Sequence, residues 1–406
     1  MSKQQRDFTA AEKMDPAPSS SANLKKKRRV APSTLLSLDC DILAMIFTFL
    51  DMFDLVHCSV VCKFWNAIIE SRSLREFYQR KVKKDCSSEI PEKPLLNAIL
   101  GGIAMKHHKL ALQSGVCLVD QWKGHSTMVS QCRMKMGMVV TGVGDKIVGL
   151  IGSRLCIWRR NGKRSIFPAP EGTFVKGSCM RYFDPEAVIG CNDGTVRVFD
   201  MYSRRCSQII RMHSAPITCL CLSEDQLIVS GSTSGSIAIS DPSSVQQVAT
   251  LRSSDCRGIR TLCFNPSSHL VFAGSAVGYT YCWDLRTRRL LWGTRVSPNV
   301  IYSLGNLQND TSTLAVGGID GILRFLNQND GNIVSSFIMD YRLVSTSQSS
   351  SGFIQRRKAR RLPENTHINI DLIPMAVRPS ITCLVVGMKK IVTTHNTNDI
   401  RLWKFK

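Results

Sequence analysis

The feature that most restricts what this chain can become is a period. From Trp122 onward, short apolar runs alternate with clusters of Gly, Ser, Asp and Asn, and a Gly or Asn recurs five positions ahead of an aromatic. Gly194 to Phe199, Gly278 to Trp283 and Asn398 to Trp403 are full copies; Gly235 to Ser240 and Gly321 to Leu326 are degenerate ones, and Trp158 heads the series. Positions 158, 199, 240, 283 and 326 stand 41, 41, 43 and 43 residues apart. Each copy follows a strand pattern such as Val188-Ile189-Gly190 or Leu314-Ala315-Val316-Gly317. An earlier strand pattern, such as Ile217 to Leu220 or Ile259 to Leu262, precedes that one. Three strands per repeat are thus readable, and an interval near forty is that of one four-stranded propeller blade.

The ends of the series carry information too. The last copy stops at Trp403-Lys404-Phe405-Lys406, which leaves no chain for the outer strand of its blade. Leu112 to Asp120, apolar and just ahead of Gly124-His125, is expected to fill that edge and close the ring, because an open strand edge is a docking hazard. Between Leu326 and Trp403 lie 77 residues, too many for one blade and slightly few for two. Six blades are recognisable and a seventh is left open, with the balance leaning to seven. The stretch from Tyr341 to Thr366, holding Arg356, Arg357, Lys358, Arg360 and Arg361, reads as a long loop or an eroded repeat.

The first third of the chain has another texture. Residues 1–33 are rich in Ser, Ala, Pro and charge without periodicity and are expected to form a disordered basic tail. Its run Lys25, Lys26, Lys27, Arg28 and Arg29 resembles a monopartite nuclear localisation signal, so the expected location is the nucleus, with the cytoplasm beside it. In 34–84, Leu38, Ile42, Ile46 and Leu50 recur at four-residue spacing, widened by Leu43 and Phe47, which reads as a core-facing helix. Asp54 is placed to cap a second helix carrying Leu55, Cys58, Cys62 and Trp65. Ser73 with Glu76 would make a capping box for a third run. Residues 85–110 read as a connector with one helix near Leu95 to Leu100, and 111–406 as the propeller. So small a set of helices buries little surface alone and is expected to complete itself against a partner.

Two resemblances follow from these residues. Leu38-Asp39-Cys40-Asp41-Ile42-Leu43, Asp54-Leu55, Val61-Cys62-Lys63-Phe64-Trp65 and Leu74-Arg75-Glu76-Phe77 resemble the F-box family, the Val-Cys-Lys-x-Trp run most specifically. Where that family commonly has Pro after the opening Leu, this chain has Asp39, which can cap the helix instead. From about 120 to 406 the copies are similar to WD repeats: Gly124-His125, Asn192-Asp193-Gly194, Phe199-Asp200 and Trp283-Asp284 hold the characteristic places. His125 with Trp158, and Asp193 with Phe199, are partial sets of the hydrogen-bonding residues of a WD blade and are read as structural. The resemblance implies a small all-α F-box module followed by an all-β WD-repeat propeller. It implies a non-catalytic substrate receptor of a Skp–cullin–F-box ubiquitin ligase, with a Skp-type adaptor and through it cullin and RING subunits as partners. Leu38, Ile42, Ile46, Leu50 and Leu55 are then the adaptor-contact candidates. A nuclear WD-repeat scaffold is the alternative, and a nucleic-acid-binding propeller comes last.

Charge and cysteine narrow the rest. The chain has 53 Lys and Arg against 31 acids, a net +22. From residue 121 on, 35 basic and 18 acidic side chains leave +17, so the excess is not confined to the tail. Such a surplus draws the chain toward nucleic acid, acidic peptides or phosphorylated partners without choosing among them. Basic residues are dispersed without interleaved aromatics, which speaks against single-stranded nucleic acid. Arg197, Arg324 and Arg401 stand at equivalent places in three repeats and are candidate substrate contacts, against the reading that they are repeated strand positions. The 16 Cys contain no CxxC pair, and no phosphate loop, GxSxG or HExxH motif is present, so neither enzyme machinery, cofactor nor metal site is expected. His107-His108 lacks a third ligand nearby. The longest apolar run, Ile42 to Leu50, is far short of the ~20 residues that span a bilayer.

Overall fold

The computed structural model describes residues 38–50, 52–85, 96–123, 129, 131–135, 138–142, 149–151, 154–158, 164–166, 176–183, 185–200, 202–203, 205–223, 227–243, 246–252, 257–340, 354–363, 373–374 and 378–406. The chain divides into two compact units, 1–100 and 101–406.

The first unit is helical: α1 Cys40–Thr48, α2 Met52–Ser59, α3 Lys63–Ile69 and α4 Arg72–Asp85, followed by α5 Leu96–Ser114, which crosses into the second unit. Asp39 caps α1 as expected, its carboxylate accepting from the Cys40 N–H at 2.7 Å. The helix expected from Asp54 to Trp65 is two helices: α2 begins ahead of Asp54, and Cys62, extended at φ −157°, caps α3 through its Sγ. The capping box does not form, because α4 begins at Arg72 and Glu76 pairs with Arg72 at 3.0 Å and Arg80 at 3.5 Å. Leu43, Phe47, Leu55, Ile69, Leu74 and Tyr78 make the core, each at most 2% exposed. Phe47 meets Trp65 edge-on at 5.5 Å, and the Tyr78 hydroxyl donates to the Phe47 carbonyl at 2.7 Å.

The second unit is antiparallel sheet. Strands Gly177–Phe183, Glu186–Cys191, Thr195–Asp200 and Arg205–Arg211 form one four-stranded blade. Ile217–Leu222, Ile228–Ser232, Ile237–Asp241 and Gln246–Leu251 form the next, and Ile259–Asn265, Leu270–Ser275, Tyr279–Asp284 and Arg289–Arg295 a third. Their first strands pack side by side in chain order, continue to Ile301–Gly305 and Ile381–Gly387, and return to Gln131–Lys135, the start of the first repeat. That is the closed ring of a propeller.

The first repeat appears as a hairpin, Gln131–Lys135 with Met138–Gly142, and a three-stranded sheet, Gly149–Ile151, Arg154–Trp158 and Arg164–Ile166. Gly194, Gly235, Gly278 and Gly321 all adopt φ between +71° and +90°, which explains the repeated glycine: at Gly194 a Cβ would stand 2.1 Å from the His213 carbonyl oxygen.

The closing strand is Cys117–Lys123. It pairs antiparallel with Asp399–Phe405, Val119 opposite Trp403, and so supplies the missing outer strand of the last blade. Leu112 of the expected segment lies instead in α5, buried against the same core as Trp403 and Phe405. The interval 326–403 departs further from expectation. Gln355–Leu362 is a strand rather than a loop: it pairs with Cys117–Lys123 on one side and Ile333–Met339 on the other, joining two blades into one nine-stranded sheet. Among the described residues that interval builds no further four-stranded blade. Its surplus length goes into this bridge, which covers two outer edges at once. Phe325, Phe337 and Phe405 pack edge-to-face at 5.3–6.0 Å beneath it.

Candidate functional site

The helical module carries apolar residues on two faces of α1. Leu43 and Phe47 point into the core, whereas Ile42 (49% exposed), Met45 (64%), Ile46 (40%) and Phe49 (83%) follow i, i+3, i+4, i+7 spacing on the other side. The core-facing stripe is therefore Leu43/Phe47 and not the Ile42/Ile46 series that the spacing indicated. Val60, Val61 and Phe64, from the turn ahead of α3 and its first residues, are exposed as well. Apolar exposure of this density on a small module marks an interaction surface, since its core is already filled from within.

Of the adaptor-contact candidates, Ile42 and Ile46 stand on this face and Leu38 and Leu50 lie half-buried at its margin. Leu55 is wholly buried in the module's core, so it supports the surface from beneath rather than lining it. Met45, Phe49, Val60, Val61 and Phe64 were not singled out from sequence. The available signal was that α1 is apolar nearly all round, which a helix with only one buried face does not need.

In the propeller Arg324 and Arg401 are buried and Arg197 is half-buried. Arg324 is 7% exposed and pairs with Asp320 at 2.6 Å; Arg197 reaches Asp193 at 3.8 Å. In both, the arginine meets the turn aspartate four positions back, the residue just before the positive-φ glycine. Burial pulls the Arg401 guanidinium down to about 10, and its Nε donates to Gln121 on the closing strand at 3.1 Å. Each ties a turn or a closing strand to its own blade, which accounts for their recurrence. Asp193 accepts from the Thr195 N–H at 2.9 Å and its hydroxyl at 2.6 Å. Burial works to raise its carboxyl, but these bonds and Arg197 hold it below the usual range.

Polar sets of the WD kind are present but divided among blades. Trp403 Nε1 donates to Thr393 Oγ1 at 2.9 Å, which in turn bonds His395 at 3.0 Å. His213, which the sequence reading passed over, lies 2.8 Å from Ser230 Oγ and 2.9 Å from Ser236 Oγ, kept neutral by burial. Its signal was position, one residue ahead of the Ser-Ala-Pro that opens the next repeat. His125 and the run 25–29 lie outside the described residues. His108 is buried and accepts from the Lys389 N–H at 2.9 Å, which makes it an anchor of α5. No group of three His, Cys, Asp or Glu among the described residues is placed to hold a metal, and no described helix is long and apolar enough to cross a membrane.

The chain thus carries a small helical module with an open apolar face and a repeat propeller. The F-box domain family matches residues 35–77, and the WD domain, G-beta repeat family matches 204–241. An F-box/WD-40 repeat-containing protein of Arabidopsis thaliana is 45% identical, over 95% of this chain and 97% of that one. The chain belongs to the F-box/WD-40 repeat-containing proteins. Among solved structures, a chain of the mitotic checkpoint complex overlays 62% of this chain and 82% of its own at 16% identity, TM-score 0.44. The computationally designed Ika8 protein overlays 70% and 98% at 17% identity, TM-score 0.42.

Proposed function

We propose that this protein is the substrate-recognition subunit of a Skp–cullin–F-box ubiquitin ligase. The observation that carries the reading is the second apolar face of α1: Leu43 and Phe47 complete the module's own core, so Ile42, Met45, Ile46 and Phe49 are left for a partner. A Skp-type adaptor is that partner in this reading, and it brings cullin and RING subunits. The propeller holds the protein target near the ubiquitin-charged enzyme, so the contribution to catalysis is effective concentration rather than bond chemistry.

The test is retention of recombinant Skp-type adaptor by the purified full chain, beside Ile42→Ser/Ile46→Ser/Phe49→Ser. These positions are exposed, so the variant should keep its fold; Leu55 is left alone because its loss would empty the core. Adaptor held by the native chain and lost by the variant, with unchanged circular dichroism, is the expected result. A folded native chain that retains no adaptor overturns the proposal and leaves a scaffold without ligase partners.

A further inference from the structure

The bridging strand Gln355–Leu362 gives the nine-stranded sheet a charged face. Arg356, Lys358 and Arg360 alternate on one side and are exposed, while Arg357 and Ala359 turn toward the core side. Register extends that side across the sheet. Lys358 stands opposite Leu118, Leu118 opposite Lys404, and Lys404 opposite Lys390, so four strands present three cations in one row. Directly paired residues share a face.

Asp340 stands on this face opposite Lys358, whose carbonyl accepts from the Asp340 N–H at 3.1 Å. Asp120, 6% exposed, is held by two of the cations, Arg356 Nε at 2.9 Å and Lys404 Nζ at 2.6 Å. Among the described residues no side-chain ion pair engages Lys358, Arg360 or Lys390. Arg356, Lys358, Arg360, Lys404 and Lys390 thus share this face with two acids, Asp120 and Asp340, which leaves positive charge in excess.

We propose that this face is a docking surface for an extended acidic segment of a partner protein. Alternate side chains on a strand repeat every ~6.8 Å, and neighbouring strands lie ~4.8 Å apart. An extended peptide with an acid at every second residue therefore meets Lys358 and Arg360 along the strand, flanked by Arg356 and Lys404, which already share Asp120. No exposed aromatic of the described residues stands in these rows for bases to stack on, which favours a polypeptide over single-stranded nucleic acid. The site rests on the receptor reading only in that the acidic segment would belong to a target. It lies on outer strands, away from the inner strands that line the ring.

The experiment uses the full chain and a fluorescein-labelled twelve-residue peptide of alternating Asp and Ser, with an Asn-for-Asp peptide as control, read by fluorescence anisotropy. Expected are saturable binding of the acidic peptide that weakens as salt rises, none of the control, and about a tenfold loss in Lys358→Glu/Arg360→Glu. Lys358→Arg should keep the affinity and melt with the native chain, and Arg360→Glu alone, opposite Ile338 rather than an acid, should keep the fold and lose part of the binding. Binding unchanged by Lys358→Glu/Arg360→Glu overturns the proposal, as does no binding at all, or a duplex oligonucleotide that binds more tightly than the peptide and loses affinity in the same variant. Adaptor retention is measured on the same samples. Adaptor held without peptide binding sinks this inference alone, and peptide bound without adaptor sinks the receptor reading alone.

Discussion

Trp403 and Trp283 occupy the same place in two repeats and have different fates. Trp403 stands opposite Ile391, and two residues on, Thr393 accepts its indole N–H. Trp283 stands opposite Val271, the matching residue two places on is Ala273, and its Nε1 is buried without a hydrogen-bond partner. A lost partner on a buried donor costs about 1–3 kcal/mol, and a gained one returns about 0.5–1.5 kcal/mol. Thr393→Val should destabilise the propeller by the first amount and Ala273→Ser should stabilise it by the second, both read from urea transitions followed by tryptophan fluorescence. A neutral Thr393→Val would mean that this bond carries none of the blade's stability. The same pair shows what was legible in the sequence. Aromatic spacing identifies the repeat because Phe199, Trp283 and Trp403 are buried at the same place in their blades, a place that Ser240 and Leu326 hold in the degenerate copies. Which hydrogen-bonding members survive in which blade depends on cross-strand register, and that is absent from a one-dimensional pattern. For the same reason Arg197 and Arg324 resembled ligand contacts until their turn aspartates were seen to hold them.

At the scale of elements, the strands were readable and several boundaries were not. Glycine turns and alternating apolar runs mark strand ends directly, whereas α2 and α3 were merged because a four-residue spacing runs across the Val60-Val61 turn. The bridging strand was missed because Arg and Lys at alternate positions do not look like a strand; pairing on both sides overrides weak local propensity. Helix α5 is the converse case. Gly101 and Gly102 argued for a connector, yet both lie within Leu96–Ser114, and a Cβ at either would meet nothing within 4 Å. No close packing therefore requires glycine there, and each weakens the helix by about 0.5–1 kcal/mol relative to alanine. Gly101→Ala and Gly102→Ala should each slow amide hydrogen exchange across α5 by a factor that corresponds to this energy. Unchanged exchange would show that opening of α5 does not pass through this turn of the helix.

For the whole molecule, the decisive link is ring closure by Cys117–Lys123, a strand about 280 residues from its partner Asp399–Phe405 in the chain. Main-chain pairing on both sides holds it, and Asp120 adds charge to the seam. Its carboxylate is kept below the usual range first by the hydrogen bond from Lys404 and then, against burial, by Arg356. Because the folded pKa is depressed, the unfolded chain binds the proton first as acid is added. The contribution is therefore complete above the unfolded value of ~3.9 and is lost as pH falls through the folded value. Asp120→Asn removes the titration and leaves Lys404 and Arg356 facing a neutral amide. At pH 7 the variant should be less stable than the native chain by about 1 kcal/mol, since both cations are partly exposed and screened. That gap should close progressively below pH 4, measured by thermal melting followed by circular dichroism. A gap that stays constant from pH 7 to pH 3 would mean that the backbone ladder alone holds the ring shut, and that the two cations gain nothing from the carboxylate between them.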